Sequence, residues 1–251
     1  MIRSLGLVIY FFMAQIVSCI GVFTYKSFTD YNWLNRVYDA VLMDGAFSAE
    51  YMSLLNEVMY PALMISDIII ILPVLLTSRN KLCRKIRTSR TFYYICLGIV
   101  LNFIVSVTVD AIPTKNYDNL MSIILTGSPL LVFLISGIFA PVVEEIVFRY
   151  KMMDVLENKY NPSVSLIVSS LLFGISHMNL VQSTYAFILG IVLGKIYQKE
   201  KNLLPCIIVH LTINAGSVLF EYSSAAVQVI LLSGVFLSGF FLLRKRVCLA
   251  E

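Results

Sequence analysis

The sequence predicts an all-α, polytopic transmembrane helix bundle of about eight spans. Three observations carry that prediction. Of the 251 residues, 59% are hydrophobic and 14% charged, whereas soluble domains hold about 45–50% apolar and about 25% charged residues. Mean hydropathy is +0.84. The apolar residues fall in runs long enough to cross a hydrocarbon core of about 30 Å as helices, and the basic residues gather in alternate connections between those runs.

Taken in order, the predicted spans cover residues 5–23, 58–76, 91–109, 128–148, 163–177, 184–197, 203–220 and 225–243. The first could pass for a signal peptide, but no small-x-small cleavage site follows it. Residues 16–19 loosely resemble a lipoprotein box, yet Gly21, Val22 and Phe23 carry the apolar run past Cys19. Residues 24–57 read as a long polar connection, holding the only tryptophan, Trp33, and open to reading as a lid, a docking loop or a spacer. With eight spans, 16 of the 19 lysines and arginines fall on one side and only Lys26, Arg36 and Lys115 on the other. Positive connections stay in the cytoplasm, so both termini are expected there. The five cysteines show no CxxC pair and read as buried thiols. No internal repeat and no nucleic-acid signature is present.

Ionisable groups inside a bilayer cost about 2.5–3.5 kcal/mol or more each and need a reason. Gln15, Asp67 and Asp110 are isolated and read as bundle-facing structural contacts. The remainder cluster in the second half. Pro141-Val-Val-Glu144-Glu145-Ile-Val-Phe148-Arg149 closes the fourth span. Glu145 and Arg149 share a helix face in the order that favours an ion pair. Glu144 lies about 100° around from Glu145, so the two carboxylates are expected to serve different neighbours. Arg149 can hold Glu145 ionised and leave Glu144 free to act as a base. The bland alternative is a solvated helix end with a snorkelling arginine.

Both histidines of the chain lie in late apolar segments. Phe173 and His177 stand four apart at the end of the fifth span, and His210 and Asn214 four apart in the seventh. A single histidine on an apolar helix reads as a hydrogen-bonded core residue; two, with a diglutamate and an asparagine in register, weaken that reading. If spans four and five turn near Tyr160–Asn161, Glu144 and His177 are equally far from the turn. At 1.5 Å per residue they then reach matching depth.

Glu-Glu-x-x-x-Arg, Phe-x-x-x-His and His-x-x-x-Asn, in this order on successive membrane helices, resemble the CPBP family. Its members are CAAX-type prenyl-protein endopeptidases and bacterial Abi or bacteriocin-processing relatives. The resemblance covers residues 128–220 and extends to Pro141 and to Asn202-Leu-Leu-Pro205. It implies that Glu144 and His177 activate a water, that His210 and Asn214 donate to the oxyanion, and that Glu145, Arg149 and Phe173 support them. The chain then divides into N-terminal helices (1–120), a catalytic helix core (121–224) and a C-terminal span with a basic tail (225–251). The expected activity is intramembrane cleavage of a peptide or membrane-protein segment, in a bacterial cell membrane, with the lipid bilayer as partner and no nucleic acid. No cofactor is favoured. Zinc is permitted, with Glu144, His177 and His210 as alternative ligands, but there is no HExxH and the histidines come from different helices. The rival readings are a non-catalytic immunity or binding protein and a small proton-relaying transporter.

Overall fold

The computed structural model describes residues 2–44, 48–77, 83–110, 121 and 124–247. It is a helical bundle with no strand among the described residues. Nine helices organise the described residues: α1 (Ile2–Thr29), α2 (Trp33–Asp44), α3 (Ala49–Thr77), α4 (Thr88–Asp110), α5 (Pro129–Glu157), α6 (Pro162–Ile175), α7 (Leu180–Glu200), α8 (Leu203–Glu221) and α9 (Ala225–Val247). Among the described residues, seven are long and apolar enough to cross a membrane.

Three expectations change. Cys19 and Cys83, expected as buried thiols, are exposed, whereas Cys96 and Cys206 are buried. The predicted fifth span is α6, only 14 residues long; at 1.5 Å per residue it reaches about 21 Å, short of a hydrocarbon core of about 30 Å. The predicted polar connection 24–57 is helical over much of its length, because its apolar residues recur at helical spacing, which a segment-average hydropathy does not register. Arg79, Lys81, Lys115 and Cys248 lie outside the described residues, as do the side chains of Arg3, Asp110, Arg244, Lys245 and Arg246.

The chain forms two compact units, Met1–Thr77 with Thr114–Ile135, and Ser78–Pro113 with Ser136–Glu251. In the first, α1 and α3 run antiparallel: the Tyr10 hydroxyl donates to the Ile69 carbonyl at 2.6 Å, and Lys26 meets Glu57 at 2.6 Å. Trp33 of α2 is fully buried among Ala40, Leu54 and Val58, edge-on to Phe23.

In the second unit, α6 and α7 form a tight antiparallel hairpin. A Cβ on Gly190 would lie 3.0 Å from the Ser170 Cα, and one on Gly174 would lie 2.7 Å from the Ser183 carbonyl oxygen, so glycine lets the two backbones approach. Lys201 at φ 45° closes α7 in the left-handed region, and the chain re-enters a helix at Leu203. α8 runs parallel to α4, which holds it at two levels. The Asn202 side chain, which caps α8 by accepting from the Leu204 N–H, also accepts from the Arg84 N–H and donates to the Arg84 carbonyl, both at 2.9 Å. Further along, Asn102 Nδ2 donates to the Ile213 carbonyl and to Ser217 Oγ, both at 2.6 Å.

Candidate active site

The backbone of α5 is unusual where its charged residues sit. Phe133–Phe139 and Glu145–Met153 are wound as π-helix, on either side of the α-helical Ala140–Glu144. Pro141, with no N–H, interrupts the helical ladder between them. Wider winding frees carbonyls from the usual pattern and recurs at functional sites. Two of these carbonyls are satisfied from α6: Ser169 Oγ donates to Phe148 O at 2.7 Å and Ser165 Oγ to Met153 O at 3.1 Å. Phe148 and Phe173, equally far from the Tyr160–Asn161 turn, meet edge to face at 5.2 Å. Asn161 caps α6 through Val164 N–H, and Asn179 caps α7 through Val181 and Gln182. Asn161-Pro162 is a start signal readable in the sequence.

The two carboxylates of α5 converge on one imidazole. His210 Nδ1 lies 2.8 Å from Glu145 Oε1, and its Nε2 lies 3.6 Å from Glu144 Oε2. The expectation that the glutamates serve different neighbours is therefore corrected. Two long side chains can close a rotation of about 100° when a flat ring with nitrogens on both edges stands between them. Arg149 Nη1 stands 3.1 Å from Glu145 Oε1, and its guanidinium lies over the Phe173 ring at 4.2 Å. Glu145 and Arg149 have 0% and 1% side-chain exposure, whereas Glu144 keeps 16%. Glu144 Oε2 and Glu145 Oε2 have no hydrogen-bond partner among the described residues.

The other site residues are nearby but not all in contact. The Phe173 ring meets His177 at 5.0 Å and His210 at 5.8 Å, both edge to face. His177 lies in the turn just past α6. Its Nδ1 is 2.9 Å from the Phe173 carbonyl, a spacing that makes it the donor and leaves Nε2 to accept. It makes no hydrogen bond to either glutamate among the described residues. Asn214, one turn beyond His210, donates Nδ2 to the Ser136 carbonyl at 3.1 Å, leaving its second N–H. Sequence reasoning passed over Ser165, Ser169 and Asn102, whose signal was weak: short polar residues inside apolar helices.

Among the described residues no three His, Cys, Asp or Glu side chains converge as ligands. Glu144 and His210 stand close enough to share an ion, but His177 is turned to the Phe173 carbonyl.

Residues 126–216, which hold Glu144, Glu145, Arg149, Phe173, His177, His210 and Asn214, match the family model described as Rce1-like, type II CAAX prenyl endopeptidase. By that likeness they are similar to the CPBP family. The chain is also 29% identical, over 98 residues, to the "Putative membrane peptidase YdiL" of Bacillus subtilis (strain 168). That match covers 39% of this chain and 40% of the relative. No solved structure matches the chain. Within the matched stretch, Glu144, Glu145 and Phe173 meet the buried His210 imidazole, while His177 and Asn214 bond backbone carbonyls beside it.

Proposed function

We propose that this chain is an intramembrane endopeptidase that hydrolyses a peptide bond with a water activated by Glu144. One observation supports this above others: of the two carboxylates beside His210, Glu145 is paired with Arg149, whereas Glu144 is 16% exposed and has an oxygen without a hydrogen-bond partner among the described residues. A base must be able to take a proton, and a carboxylate tied up in an ion pair cannot do so readily.

In this reading Glu144 accepts a proton from water while the oxygen attacks the scissile carbonyl carbon. His177 Nε2, left open by its Nδ1 bond, orients the same water. His210, when protonated, balances its charge against Glu145 and presents Nε2–H to the oxyanion, and the second N–H of Asn214 is the other donor. Collapse of the tetrahedral intermediate breaks the C–N bond, and Glu144 returns its proton to the leaving amine. Glu145, Arg149 and Phe173 keep His210 in place. No step requires a metal. The substrate is a peptide or membrane-associated protein segment, CAAX-like or bacteriocin-type, met in a bacterial membrane.

The test is cleavage of a quenched-fluorescence peptide library by detergent-purified protein, comparing wild type with Glu144→Ala and His177→Ala, with and without a strong chelator. Loss of cleavage in folded variants, with chelator inert, supports the reading. Full activity in either folded variant overturns it. Loss in chelator restored by zinc replaces it with a metal-dependent mechanism.

A further inference from the structure

The helix α2 lies outside everything the proposed chemistry uses, and its surface has an uncommon division. At about 100° per residue, its twelve residues fall into three arcs. Trp33, Val37 and Ala40 form the arc packed against α1 and α3. Beside it, over about 80° to 180°, run Leu34, Tyr38, Val41 and Leu42, all exposed, with Tyr38 at 64% and Leu42 at 62%. Asn35, Arg36 and Asp39 fill the remaining arc, which is polar apart from Met43 near the helix end.

We infer that α2 is an interfacial helix whose second apolar arc lies in the headgroup–acyl boundary of the bilayer. A helix free in water would not expose four apolar residues beside its packed face, and one inside the hydrocarbon would not carry a polar arc. The division suits a helix with one side on protein, one on lipid and one in water. Its position agrees. α2 joins the ends of two antiparallel membrane-spanning helices, so it lies at a bilayer surface. The neighbouring span is apolar on its exposed side as well: Ile16, Val17 and Ile20 of α1 are exposed, followed by the exposed aromatic residues Tyr25, Phe28 and Tyr31. Aromatic side chains of this kind gather at the membrane–water boundary. Binding here is driven by apolar burial. Arg36 pairs with Asp30 at 2.9 Å and Asp39 offsets the charge, so the polar arc offers no basic patch for anionic lipids.

The experiment places spin labels on the full chain in phosphatidylcholine liposomes, with Cys19, Cys83 and Cys248 replaced by serine and the buried Cys96 and Cys206 kept. Labels go singly at Leu34, Tyr38, Asn35 and Asp39. Collisions with oxygen are expected to exceed collisions with a water-soluble nickel complex several-fold at Leu34 and Tyr38, and the ratio to invert at Asn35 and Asp39. Adding phosphatidylglycerol is expected to change neither. Equal nickel access at all four sites overturns the inference. So does protection of Leu34 and Tyr38 that appears only when a peptide is added, which would make the arc a peptide-docking surface. Hydroxyl-radical footprinting of the unsubstituted protein gives an independent reading: relative to the unfolded chain, Tyr38 is expected to be protected and Met43 not. Equal modification of the two rejects the inference even if a labelled variant misfolds.

Discussion

Two charge clusters in this molecule use the same chemical groups in opposite surroundings. In the first unit, Lys26 links Asp30 and Glu57, and Arg36 reaches Asp30, with side chains 26% to 46% exposed. In the second, Glu145, Arg149 and His210 are at most 5% exposed. Water shares the work of stabilising the first set, so each of those pairs contributes at most about 1 kcal/mol. It has little access to the second, where removing one partner leaves an uncompensated charge that costs about 3–5 kcal/mol. The same carboxylate–cation contact is thus a minor surface detail in one place and a condition of folding in the other. The buried set also has an odd member. Glu144 is the least buried of the four and the one whose loss should affect chemistry more than stability.

That contrast can be tested in a graded series. The largest effect is expected for Glu144→Gln, which keeps the shape of the side chain and removes the proton acceptor. Turnover of a cleavable peptide should fall by about 10²–10⁴-fold, with thermal stability in detergent nearly unchanged. A variant that melts early would place Glu144 with the structural pair instead. Next comes Arg149→Met, which should destabilise by about 3–5 kcal/mol in a reversible detergent unfolding titration. Adding Glu145→Gln should recover part of that loss, since the stranded charge is then gone; losses that simply add would mean the two residues are not coupled.

A smaller change, about 1–2 kcal/mol, is expected for Asn202→Ala, which uncaps α8 and frees the Arg84 backbone. Because His210 and Asn214 lie along the same helix, turnover should fall more than peptide affinity. The reverse split would assign Asn202 to substrate binding. Smallest of all is Lys26→Met, below about 1 kcal/mol by the same titration. A loss as large as that of Arg149→Met would erase the distinction between the clusters.

Sequence reading reached this site unevenly, for reasons visible in particular residues. The membrane class, the helices and the identity of the motif residues were legible because hydropathy and spacing are local properties. The hairpin between α5 and α6 was also legible, since its turn is marked by polar residues and Asn161-Pro162; the edge-to-face meeting of Phe148 and Phe173 agrees with a turn placed there. α2 was missed because its apolar residues recur at helical spacing, which a segment average does not register. α6 was placed within two residues, at 163–177 against Pro162–Ile175, but a helix of that length falls short of the hydrocarbon core.

Among the charged site residues, only the Glu145–Arg149 partnership was legible. Spacing by itself determined that Glu145 and Arg149 share a face, and composition determined that any carboxylate among these helices would be costly to bury. Only the tertiary structure decided that both glutamates meet His210, that Arg149 lies on Phe173, and that His177 turns its Nδ1 to a backbone carbonyl. Those contacts depend on the rotation of α8 against α5. That rotation is set by Asn202 and Asn102 on α4's side and by the wider winding of α5, through packing between residues more than a hundred positions apart. Periodicity along one helix records which residues share its face; which neighbour that face meets is a property of the assembled bundle.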